Sequence, residues 1–170
     1  MAAGGRDDPR AAPFHISRGI DAPREKVWAA LSEAGRLPQW WAAPGTQTLN
    51  CLIDFRPGGM LLFGTNGADS GEVWIKHVYR EMWAPSQIVY VASFCDSRGN
   101  LRRNPASADW PIEVLTTISL DKAGAGTGLT LRAHPQNASD AERAAFDEGR
   151  FEMRDRFSGW MERLAGYVAK

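Results

Sequence analysis

The stretch SDAERAAFDEGRFEMRDRFSGWMERLAGYVAK, residues 139–170, constrains the fold of this chain more than any other. Phe146, Met153, Phe157, Trp160, Leu164 and Val168 recur at steps near three and four, the period of one apolar helix face. Ser139 and Glu142 stand at capping-box spacing just after Pro135, which starts the helix at 140. From 140 to 168 it would be roughly 43 Å long at 1.5 Å per residue. Gly149, Gly159 and Gly166 each cost about 1 kcal/mol inside a helix, so close packing against another layer is expected to compensate. Glu142, Arg143, Asp147, Arg150, Arg154 and Asp155 read as the wet side.

Almost everything before that helix alternates with period two. FHISRGI (14–20) reads as a first strand. DAPREKVWAALSEAG then reads as a short helix with Asp21 near its cap, Pro23 in its first turn, and Val27 and Leu31 on its inner stripe. A second short helix carries Leu37, with Trp40 and Trp41 on the same broad side. From residue 47 four strands follow as an antiparallel meander. In LNCLIDF, Leu49, Cys51, Ile53 and Phe55 share one face, and RPGG (56–59) is a turn. MLLFGT leads to a second turn at NGADSG. In EVWIKHVYREM, Lys76 and Arg80 mark the wet face, which puts Val73, Ile75, His77, Tyr79 and, less comfortably, Glu81 inward. APSQ turns into IVYVASFC.

Residues 96–111 lack strand or helix period; a stretch of that length reads as a mobile solvated loop or as a lid placing Arg102 and Arg103 near an acidic group of a ligand. Two strands complete the set, with Ile112, Val114, Thr116, Ile118 and Leu120 inward on one and Leu129, Leu131 and Ala133 on the other, joined by a turn at DKAGAGTG.

Such a set of elements is hard to fill. Six or seven strands make a sheet roughly 30 Å wide, whereas one helix covers only ~10–12 Å. A sheet curved round the helix removes part of the mismatch, and the two short helices at 23–42 must close the remainder. A cavity between helix, sheet and short helices is the expected result. It also gives the adjacent Trp40 and Trp41 separate environments, one ring in the core and its neighbour at the opening.

The chain has 170 residues with 20 basic against 20 acidic side chains, which fits one globular domain over 14–170 behind a disordered tail over 1–13. Balanced charge gives no general pull toward nucleic acid or acidic membranes, so neither partner is expected. No apolar run approaches the ~18 residues needed to span a bilayer. Cys51 and Cys95 form no close pair and no cleavable leader is evident, so the expected compartment is the reducing cytoplasm.

His15, His77 and His134 lie far apart with no zinc spacing, no nucleophile elbow is present, and KAGAGTG leads into a strand rather than a helix. No metal and no cofactor are expected. His77 and Tyr79 share the inward face of one strand and Thr116 faces inward on a later one; core packing accounts for them, and ligand contact or proton transfer is the alternative use. Trp41, Tyr90, Trp110, Phe157 and Trp160 are the aromatic candidates for lining a cavity, again beside plain core packing.

DAPREKVWAAL, the QWW pair, FRPGG, VYREMWAP, WP at 110–111 and SGWMERLAGYVAK stand in one order that resembles the START-like (SRPBCC) superfamily, a Bet v-like helix-grip fold. The best match is its group of homologues of the activator of the 90-kDa heat-shock protein ATPase, over about residues 14–170. The resemblance implies an α+β helix-grip fold: a curved antiparallel sheet of six to seven strands round a long C-terminal helix, with two short helices after the first strand and a deep cavity. It implies binding of a hydrophobic or aromatic small molecule. The alternatives are a cyclase, dehydratase or hydrolase acting on a polyketide-like substrate, or a co-chaperone module stimulating a heat-shock chaperone ATPase. This sequence leaves no room for a second folded domain ahead of the START-like one, and two-domain relatives use such a domain to grip the chaperone, so a chaperone partner is not expected; a homodimer stays open. WWAAPG is longer than the Trp-Trp-Gly-Pro of many relatives, so a different pocket rim is expected. APSQIVY lacks the usual Glu-Arg pair after the proline, which weakens any role carried over to that corner.

Overall fold

A computed structural model describes residues 12–170. Residues 1–11, most of the expected tail, lie outside the described residues. The elements are β1 (Phe14–Ile20), α1 (Arg24–Ser32), a 3-10 turn (Leu37–Gln39), β2 (Thr46–Ile53), β3 (Met60–Gly67), β4 (Gly71–Trp83), β5 (Gln87–Cys95), β6 (Glu113–Ala123), β7 (Gly126–Gln136), α2 (Asp140–Glu148) and α3 (Arg150–Val168). The seven strands form one antiparallel sheet in the order β1-β7-β6-β5-β4-β3-β2. Consecutive strands β1 and β2 are therefore its two opposite edges, and α1 with the 3-10 turn carries the chain from one to the other. This is the helix-grip arrangement, α+β with the C-terminal helix against the sheet.

Period-two alternation places the core as expected in β6 and β7, where Val114, Thr116, Ile118, Leu120, Leu129, Leu131 and Ala133 are buried. Two bulges change the reading elsewhere. Leu49 is the extra residue between Thr48 and Asn50, and it is 40% exposed instead of sharing the inner face of Cys51, Ile53 and Phe55. Arg80 is the extra residue between Tyr79 and Glu81, which turns Glu81 outward and brings Met82 against the core. The bulge thus removes the acid that strict alternation would have buried.

At the first turn Gly58 has φ +83° and Gly59 N–H donates to Arg56 O at 2.8 Å, the type II geometry that Pro57 and a glycine favour. The DKAGAGTG connection is tighter than read: β6 and β7 pair out to Ala123 and Gly126. Pro23 is the N-cap of α1, one position ahead of its first turn and two after Asp21, and Val27 and Leu31 are buried as expected.

The C-terminal helix is two helices. The capping box at Ser139 and Glu142 is present, but α2 stops at Glu148 and α3 begins at Arg150. The hinge is Gly149, where a Cβ would lie 2.8 Å from Cζ3 of Trp110. Close packing therefore accounts for Gly149. It does not for Gly159, whose nearest neighbour would be Arg163 of the same helix, nor for Gly166, which has open space around it.

Candidate functional site

α3 lies closest to β1 and α1 and stands off from β4 and β5. On the near side Phe14 meets Phe157 at 6.0 Å between ring centroids, and Leu164 and Val168 are fully buried. On the far side the inward residues Val73, Ile75, Ala92 and Phe94 are only half-buried, because nothing packs over them. The gap is a cavity of about 290 Å³.

Its floor is His77, Tyr90, Val114, Thr116 and Ala133 of the sheet; its roof is Met153, Phe157 and Trp160, which helical spacing puts on one side of α3. Trp41 and Trp110 add two indoles to its lining. A wider, more open space of about 660 Å³ adjoins it and shares Val73, Phe94, Trp110 and Arg156, so these four mark the mouth.

The paired tryptophans differ in environment, although their rings meet at 5.5 Å between centroids and Trp41 lines the hollow without reaching its mouth. Trp40 is 4% exposed and its indole N–H donates to Ala30 O at 3.0 Å, so it is a satisfied core residue. Trp41 packs between Phe63, His77 and Trp160, at 5.6, 5.7 and 5.4 Å between centroids. Arg163 of α3 holds both in place, donating to Trp40 O and Trp41 O at 3.3 and 3.0 Å. The indole N–H of Trp160 is buried without an acceptor, and the ring stands edge-on to Trp40 and Trp41.

His77 is stacked on Tyr90 at 4.0 Å and 17°. Burial pushes its pKa down to about 3, because no negative group compensates the desolvated imidazolium. The ring is therefore neutral at physiological pH, a hydrogen-bonding group rather than a charge. Burial raises the phenol of Tyr90, partly offset by its cross-strand neighbour Thr116. Tyr79 is not on the cavity wall. It lies behind Tyr90, against Phe55 at 5.0 Å, beside a gap of about 10 Å³ that is water-sized at most. Of the eight candidates, Trp41, His77, Tyr90, Trp110, Thr116, Phe157 and Trp160 thus come together round one hollow, and Tyr79 does not.

Arg102 and Arg103 do not face the hollow. Asp96 accepts from the backbone N–H of Arg98 and Asn100, from the side chain of Asn100 and from Arg102, and these contacts hold its carboxyl below the usual range. At the other end of the loop, Glu142 reaches Ile112 N–H at 3.3 Å and Arg103 at 3.5 Å, besides capping α2. The connection 96–111 is pinned at both ends by buttressing carboxylates, and Glu142 is not merely a residue of the wet side.

Sequence reading passed over Arg156 and Arg163. Both fall at helical spacing from the apolar stripe of α3, which was the available signal. Among the described residues no three His, Cys, Asp or Glu side chains converge as a metal-binding set, and no helix is long and apolar enough to cross a membrane.

Residues 21–169 match the family model described as Activator of Hsp90 ATPase homolog 1-like protein. A crystal structure of a Mycobacterium smegmatis protein superposes with a TM-score of 0.75 at 18% identity, over 95% of this chain and 93% of that one. A solution structure from Arthrobacter aurescens gives 0.74 at 18%, over 96% and 90%. A crystal structure from Nitrosomonas europaea gives 0.73 at 17%, over 95% and 96%. At such identities the likeness is one of fold. No curated protein matches the sequence.

Proposed function

The chain belongs to the Activator of Hsp90 ATPase homolog 1-like family, and from that premise we propose that it binds a hydrophobic or aromatic small molecule in the cavity under α3. The observation that carries this reading is a hollow of about 290 Å³, open at one mouth and lined mostly by carbon. That is about twice the roughly 150 Å³ cavity that holds one benzene, so it suits one or two rings, or one ring with a short chain. Trp41, Phe157 and Trp160 offer ring faces and edges; His77, Tyr90 and Thr116 offer the few polar groups that orient a ligand. Cys51 and Cys95 are both free, which fits work in the reducing cytoplasm.

The enzymatic alternative gains less from the geometry. A general base is most effective with a pKa near the working pH, and that of His77 is near 3. Tyr79, the other candidate proton carrier, is off the wall. Nothing about the cavity favours the co-chaperone reading, for which saturable heat in a titration with the chaperone is the test.

Native mass spectrometry of the purified protein tests the main reading. A stoichiometric extra mass, lost on denaturation and recovered by extraction, is the expected result. A bare mass, together with no saturable quenching of the indoles by naphthalene, would remove it.

A further inference from the structure

The charge of the hollow is as distinctive as its size. Its lining includes Arg156 and Arg163 and no Asp or Glu. Three arginines away from the lining are paired, Arg102 with Asp96, Arg103 with Glu142 and Arg150 with Asp147, while Arg154 lies over the Phe14 ring and donates to His15 O. Among the described residues Arg156 has no ion pair. Arg163 is half-buried, its basicity lowered by burial, and it gives Nε and Nη2 to the carbonyls of Trp40 and Trp41. The two lie seven positions apart, so they bracket the roof over roughly 10 Å of helix. An apolar pocket with two cations and no anion discriminates by charge as well as by shape.

We propose that the ligand is an aromatic carboxylic acid of one or two rings, its carboxylate at Arg156 and its apolar body directed inward toward Trp41 and Trp160. This rests on the cavity-binding reading above. Arg156 is the anchor because Arg163 is already committed to backbone oxygens, and because Arg156 lines both the hollow and its mouth. A guanidinium offers a carboxylate paired donors in one plane. Asp69, Glu148 and Glu152 line the outer space; they and Arg156 are all exposed, so solvent screens the acids and the arginine alike, and what singles out Arg156 is that it also lines the hollow, which none of the three acids does. Glu152 is the competing partner for Arg156, four residues away on the same helix.

The test compares naphthoate, its amide and naphthylmethylamine, three probes of one shape and different charge, by calorimetry and indole fluorescence at low ionic strength. The expected order is acid, amide, amine, with the acid about tenfold tighter than the amide. That advantage shrinks as salt is added. In Arg156→Gln the acid falls to within about twofold of the amide, whose own affinity is unchanged, and Arg156→Lys retains part of the preference. Equal binding of acid and amide by the native protein would overturn the inference and leave the cavity reading standing, with Arg156 then engaged by Glu152. An acid preference that survives in Arg156→Gln would overturn the assignment to Arg156. Failure of all three probes to bind would overturn the inference, and with a bare native mass and no quenching by naphthalene it would remove the cavity reading as well.

Discussion

One helix covers two halves of one sheet with opposite results. Toward β1 and α1, α3 is packed solid, and Phe14, Val27, Leu164 and Val168 are at most 1–2% exposed. Toward β4 and β5 the same helix leaves a hollow, and Val73, Ile75 and Ala92 stay half-open although they face inward. Inward-facing apolar residues stand on both sides, so facing inward does not decide between core and cavity. The decision lies in what props the helix away from the sheet: Trp41 wedged against Phe63 and Trp160, tied to α3 through Arg163.

The comparison is sharpened most by truncation on the packed side. Leu164→Ala is expected to cost about 2–5 kcal/mol in chemical denaturation, since a fully buried leucine leaves a void its neighbours cannot close. Overfilling should then separate the halves. Ala30→Leu, in the packed half, is expected to cost about 1–3 kcal/mol, whereas Ala92→Leu, facing the hollow, should change stability by less than about 1 kcal/mol while weakening naphthalene binding. Equal costs at the two alanines would break the comparison.

Acid should expose the floor of the hollow. The folded pKa of His77, about 3, lies below the unfolded value near 6.5, so its neutral form supports the fold above pH 6.5, and that support is lost as pH falls toward 3. The loss is at most about 1.4 kcal/mol per pH unit between those limits. Asp96 and Glu142, whose carboxyls sit below their usual range, also lose their stabilisation as pH falls toward their folded values, so the informative quantity is the difference between native protein and His77→Phe. That variant should lose stability less steeply from pH 6.5 to 5; identical slopes would mean that water already solvates the ring. The smallest effect belongs to the connection 96–111. Arg103→Ala removes an exposed ion pair to Glu142 and should cost under about 1 kcal/mol, detectable as faster amide exchange at Ile112.

Much of this was legible in the chain. Alternation gave the inward faces of β6 and β7, S-x-x-E dated the start of α2, and the width of the sheet against one helix called for a hollow. Seven of eight candidate residues came to line it, because strand and helix periods fix which side a residue faces. The misreadings within the sheet share one cause. Leu49 and Glu81 were misplaced because a bulge depends on the partner strand, and nothing local announces it. Tyr79 faces inward as its period requires, yet Tyr90 from the next strand stands between it and the cavity.

Local chemistry therefore determined the element order, the faces away from the two bulges, the capping box of α2 and the first turn, since each depends on residues within a few positions of one another. Tertiary structure alone decided the break at Gly149, where Trp110 occupies the space a Cβ would need. It also decided which arginines are neutralised. Arg103 meets Glu142 from a distant loop, while Arg156 is left to face the hollow, because ion pairing depends on distances of a few ångströms that only the folded chain sets.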